Sequence, residues 1–180
     1  MELFWYFVLY SFFGFLLEVA FARIIRAEKQ DRKCFWLLPL CPVYGFGALA
    51  ILMLPEVVHR SGPLLILFGG LAATCAEYFM AVFYEKVLGV AFWNYSQLHF
   101  NVQGRVCPIF SLFWGLLAGL LVYRIHPALA RWMQEIPMAV TVSAMLLVAV
   151  DGAYTAALLR EKGDTRCLRW YDHGQKNTAG

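Results

Sequence analysis

Apolar residues run along this chain in long blocks separated by short polar breaks. One helical crossing of a hydrocarbon core needs roughly 20 mostly apolar residues. Five stretches approach that length: Leu3 to Ile24, Leu40 to Val57, Pro63 to Tyr84, Val106 to Ile125 and Pro137 to Leu159. In lipid a helix bonds all of its own backbone groups, so the pattern predicts an all-α membrane helix bundle of about five transmembrane helices. The bundle should occupy residues 1–160 and be followed by a poorly ordered cytoplasmic polar tail, residues 161–180. Pro42, Pro63, Pro108 and Pro137 fall within the first turn or two of their segments, where a missing N–H costs little.

Composition agrees with a bilayer as the solvent: 61% of the residues are hydrophobic, 15% are charged and the mean hydropathy is +0.61. The first segment lacks a basic flank before it and a small-residue cleavage pattern after it, so it is expected to persist as a span. Basic residues then set the orientation. Arg23, Arg26, Lys29, Arg32, Lys33, Lys86, Arg105 and the basic residues of the tail fall on one side, against Arg60, Arg124 and Arg131 on the other. This distribution predicts a multi-pass protein of the cell (inner) membrane, with the N-terminus outside and the C-terminus cytoplasmic. The net charge of +3 then reflects topology and gives no reason to expect nucleic acid.

Trp5, Tyr6, Trp36, Trp93, Tyr95, Tyr123 and Trp132 sit where span ends should meet headgroups and read as interfacial anchors. Gly115 and Gly119 form a GxxxG, which favours close packing inside the bundle and leaves homo-oligomerisation open. Five scattered cysteines without CxxC or Cys/His spacing read as reduced packing thiols, and no metal site is expected. A weak repeat is visible: LCPVYGFGAL and VCPIFSLFWG share Cys-Pro followed by Val or Ile and an aromatic. Glu18 precedes Cys41 much as Glu85 precedes Cys107. That correspondence suggests a parallel two-helix repeat plus one added helix.

The candidate chemistry lies in the cytoplasmic half. Glu18, Glu77 and Asp151 are inside predicted spans, where a carboxylate at the centre costs about 2.5 to 3.5 kcal/mol and so needs a partner, water or a proton. At 1.5 Å per residue they lie roughly 7, 12 and 13 Å from the polar residues that close their spans. Tyr44, Tyr84, Glu85, Asn101 and Arg105 reach the same layer, and Glu77 and Tyr84 share a helix face at a spacing of seven. Together these residues predict a substrate- or ion-binding site open to the cytoplasm. Arg105 is the cation expected to offset its acids. The polar stretch WNYSQLHFNVQGRVCP, Trp93 to Pro108, should cap the site; whether it re-enters the membrane is left open.

No nucleotide-binding loop GxxxxGK[ST], HExxH, GxSxG or dinucleotide fingerprint occurs. Three functions stay open from the residues alone: a transporter or permease-like component, a membrane-embedded enzyme acting on a lipid or other amphiphile, and a small assembly or regulatory subunit. The stretches GFLLEV, PLCPVYGFGAL, EYFMAVFYEKVLG, WNYS and NVQGRVCPIFSLFWG resemble the integral membrane family named "putative ABC-transporter type IV", or CmpB-like. The segment DRKCFWLLPL and Asn94 depart from that pattern. The resemblance implies a transport system and a separate ATPase subunit, and it supplies neither substrate nor cofactor.

Overall fold

The computed structural model describes residues 1–26, 34–133 and 136–169. Lys29, Arg32 and Lys33 of the basic segment, the side chain of Trp132 and the tail from Trp170 lie outside them. Helix α1 is Glu2–Ile24, α2 Pro42–Leu52, α3 Glu56–His59 and α4 Gly62–Phe83, which runs on through a π turn at Tyr84–Leu88. Helix α5, Pro108–Leu120, continues through a second π turn, Leu121–Ile125, into α6, His126–Met133. Helix α7 is Met138–Lys162.

Four of these stretches are long and apolar enough to cross a membrane: Glu2–Ile24, Gly62–Leu88, Pro108–Ala130 and Met138–Lys162. The second predicted crossing takes a different form. Helix α2 has 11 residues, about 16 Å of rise, or half a hydrocarbon core. It stops at Met53, and Pro55 holds the backbone extended (ψ 147°) before the single turn of α3. At its other end the Cys41 N–H donates to the Ser11 carbonyl at 2.9 Å, so α2 begins beside the middle of α1 instead of at its end.

Helix α4 packs against α2 and α5, and α2 packs against α1. Small residues permit these approaches. Gly69 faces Ala118, Gly70 faces the Ser111 carbonyl, and Gly115 lies against the Ile66 carbonyl. In the other pair, Gly14 lies under the Tyr44 ring and Gly45 against Ser11. Both pairs run antiparallel. Each second helix opens on an extended cysteine (Cys41, Cys107) followed by proline at the first helical position, as the weak repeat predicts. Ile51, Leu65, Ala73, Trp114 and Ala118 form the shared core. Leu67, Leu71, Phe79, Leu112 and Leu146 point outward, as side chains facing lipid do.

Helix α7 stands apart from this core and holds the segment before α2. At its far end Trp5 donates its indole N–H to Thr141 at 3.0 Å. The start of the tail is more ordered than its polarity predicts. Asp164 caps a short 3-10 turn, Thr165–Leu168, by accepting the Arg166 N–H. That turn places Leu168 in a buried cluster with Tyr84, Leu88, Val90 and Leu159.

Candidate functional site

A cavity of about 360 Å³ lies between α1, α2, α4, α5 and the loop before α5. Glu18, Tyr44 and Glu77 line it, so the structure brings these three sequence candidates together. The Tyr44 hydroxyl donates to Glu18 Oε1 at 2.8 Å. Glu77 is only 4% exposed and is held at both oxygens: Oε1 accepts the Tyr95 hydroxyl at 3.0 Å, and Oε2 accepts the Trp114 indole N–H at 3.0 Å. The Trp114 ring also packs on Tyr44, centroid to centroid 4.9 Å. The two acids and their donors therefore form one polar layer bridged by aromatic rings.

Tyr95, read from sequence as an interfacial anchor, thus lines the cavity and bonds Glu77. Burial, and next the Glu77 charge, push its phenol above the ordinary tyrosine range, so it remains a protonated donor. Trp93 also lines the cavity and ties its indole N–H to the Arg105 carbonyl at 2.8 Å. Trp114 has no counterpart among the predicted site residues. The available signal was that a buried indole N–H needs an acceptor, and in an apolar α5 the acceptor had to come from another helix.

The other candidates serve the walls and floor. Arg105 does not enter the cavity: its Nε donates to Glu85 at 2.9 Å, it pairs further with Gln103, and it lies 5.5 Å from the Tyr78 ring centroid. The Glu85–Arg105 pair therefore fastens the loop to the outside of α4, and the acid of the second helix pair that faces the cavity is Glu77. Tyr84 shares a face with Glu77 but sits seven residues on, roughly 10 Å along the axis. There it is buried under Phe92 and Trp93, at 4.5 and 6.0 Å between rings, away from the cavity.

Asn101 holds the loop's shape. Its amide donates to the Leu98 carbonyl at 2.7 Å, and its oxygen accepts the Gly104 N–H at 2.8 Å. Gln103 and Gly104 take left-handed backbone there, with φ of 54° and 72°. The folded loop returns Tyr95 to the level of Glu77, so part of Trp93 to Pro108 reaches back into the bundle. Asp151 is buried and accepts the N–H groups of Leu37 (3.0 Å) and Leu38 (2.7 Å), while Thr155 accepts that of Trp36 at 2.9 Å. These bonds clamp the segment leading from Cys34, which lines the cavity, to Cys41, which starts α2.

The cavity's remaining lining is mostly aromatic, with Phe21, Phe92, Phe110 and Phe113 prominent. Helices α1 and α5 flank it without packing extensively on one another. Leu17, Phe21 and Phe113, on those flanks, are 41%, 41% and 51% exposed. Among the described residues, the cavity wall between α1 and α5 thus includes side chains that are also exposed on the outer surface. No cysteine among the described residues is joined in a disulfide, and Cys34 and Cys41 Sγ lie 3.6 Å apart. Among the described residues no three His, Cys, Asp or Glu side chains converge as metal ligands would.

Fold and cavity together define a polytopic α-helical membrane protein with two acids, Glu18 and Glu77, lining an internal cavity. The family model described as "Putative ABC-transporter type IV" matches residues 5–156, and the chain belongs to that family. No curated protein and no solved structure matches it significantly.

Proposed function

We propose that the protein is a transporter or permease-like component whose solute or coupling ion occupies the cavity between α1 and α5. The observation that carries this reading is the meeting of Glu18 and Glu77, from different helices, across one aromatic-walled space within the bundle. Carboxylates inside a membrane bundle are costly and mark ion or substrate paths. Each can take up or release a proton as its hydration changes. The distribution of Lys and Arg supports a cytoplasmic position for the loop that caps this end. Family membership supports a separate ATPase subunit as partner. Proteoliposomes containing a trapped pH dye test the reading: wild-type protein should carry more proton current under an imposed potential than Glu77→Gln. Equal currents in the two would sink it.

One observation favours a second reading, a membrane-embedded enzyme acting on an amphiphile. The exposed flanks Leu17, Phe21 and Phe113 would admit a lipid sideways. Glu77 would then act as general acid or base beside the Tyr95 hydroxyl. Incubating the protein in nanodiscs and profiling the lipids by mass tests it, and unchanged lipids would exclude turnover of those supplied. Nothing in the packing specifically favours the role of a small assembly or regulatory subunit.

A further inference from the structure

From the chemistry of the cavity wall we infer that its ligand is an organic ammonium ion bearing an apolar group. The inference rests on the reading of this cavity as a ligand site and names the class of ligand. Both hydrogen-bond partners of Glu77 are neutral, a phenol and an indole, so ionised Glu77 brings a negative charge that these donors solvate without cancelling. Each carboxylate oxygen retains a second lone-pair direction for a ligand. The rings of Tyr44, Tyr95, Phe110, Phe113 and Trp114 line the same cavity. Aromatic faces attract cations, most strongly where water is excluded.

Other ligand classes fit less well. A bare metal ion of the calcium or magnesium type wants six or more oxygen ligands, whereas this lining offers oxygens from Glu18, Glu77 and two phenols among otherwise apolar side chains. An anion would meet two carboxylates. A purely apolar molecule would leave Glu77 either with its charge unmatched in low dielectric, which is costly, or neutralised by a proton, and would make no use of the carboxylate as an anion. An ammonium with an apolar body satisfies both features at once: its charge faces Glu77, and its body lies along Phe21, Phe110 and Phe113 toward the gap between α1 and α5. The same chemistry occurs in a free hydrophobic amine and in the headgroup of an aminophospholipid.

Equilibrium dialysis of labelled benzyltrimethylammonium against protein in phosphatidylglycerol nanodiscs, with empty nanodiscs subtracted, tests the inference. Wild type should bind it saturably. The carbon isostere neopentylbenzene and the anion benzylsulfonate should compete at least about tenfold less well, the size expected from one charge contact and cation–π attraction. Glu77→Gln should weaken binding by about tenfold or more. Phe113→Leu, which touches no hydrogen bond of the site and sits on an exposed flank, should weaken it about threefold, and the elution profile of each variant checks that it folds. Competition by phosphatidylethanolamine added to the nanodiscs would support a lipid ammonium as the natural ligand, and its failure to compete would support a free amine. Equal competition by the neutral isostere, or undiminished binding by Glu77→Gln, would overturn the inference whatever the proton current does. Normal binding without any transport current would instead remove the transport reading and leave the ligand class standing.

Discussion

Trp114 of α5 donates its indole N–H to Glu77 of α4 at 3.0 Å, inside a pair of helices that pack closely through Gly70 and Gly115. The bond does two things. It satisfies a buried polar atom on each helix, and it turns the carboxylate so that its other oxygen meets Tyr95 on the loop. Trp114→Phe keeps a ring and deletes the donor. The expected loss is about 1 to 3 kcal/mol, as for a hydrogen bond to a charged group. A double-mutant cycle with Glu77→Gln, read from unfolding midpoints in nanodiscs, should show coupling; additive losses would mean that the bond contributes nothing specific.

The GxxxG of α5 should divide into one constrained glycine and one free one. A Cβ on Gly115 would run into the Ile66 carbonyl, whereas one on Gly119 meets nothing within 4 Å. Gly115→Ala should therefore destabilise by about 1 to 3 kcal/mol through overpacking, and Gly119→Ala should be neutral or slightly stabilising. Thermal unfolding of the two variants side by side checks this. Equal effects would point to Gly119 packing against a second copy.

Asp151 acts on the cavity at a distance, through the chain it clamps. Asp151→Ala leaves the Leu37 and Leu38 N–H groups without their acceptor, a loss of about 1 to 3 kcal/mol for two half-buried donors to a charged group. Asp151→Asn, which keeps one carbonyl oxygen, should lose less. Maleimide labelling mapped by mass spectrometry gives a second readout. Cys75 is exposed on the middle of the α4 span, toward lipid where no thiolate forms, and should stay unlabelled in every variant, while Cys34, buried in the wild type, should become reactive in Asp151→Ala. A Cys34 as protected as in the wild type would show that the clamp is not needed.

Arg105 should matter to the loop and little to the site. Its Glu85 partner lies outside the cavity lining, and both side chains keep contact with solvent. Arg105→Ala should make the loop between residues 89 and 107 easier for a protease to cut and leave benzyltrimethylammonium binding within about threefold of wild type, the scale on which exposed ion pairs act. A loss as large as that of Glu77→Gln would return Arg105 to the site.

Four of the five spans and the acids were legible in the sequence because the bilayer imposes simple local rules. A long apolar run must be a helix, and a carboxylate within one must find a partner. Glu18, Tyr44 and Glu77 emerged from depth alone. Glu85 and Arg105 share that depth, yet depth does not tell which side of a helix meets a cavity and which meets the outside. Tyr84 shows the same limit along the helix axis, lying on the right face but two turns too far. The contacts of Trp93 and Tyr95 with the cavity were not legible because an aromatic at a span end looks the same whether it faces a headgroup or folds back under a loop.

The amino-acid sequence by itself determined the class of protein, the four long helices, the proline-marked starts of α2, α4 and α5, and the presence of acids in the membrane layer, since each follows from hydropathy, helix rise and backbone chemistry within a short window. Only the tertiary structure decided which acid meets which donor. Glu77 bonds Trp114 and Tyr95, 37 and 18 residues away, and Asp151 bonds a segment more than 110 residues before it. Those pairings depend on helix rotation and loop return, which small-residue packing and hydrogen-bond satisfaction settle across the whole bundle at once.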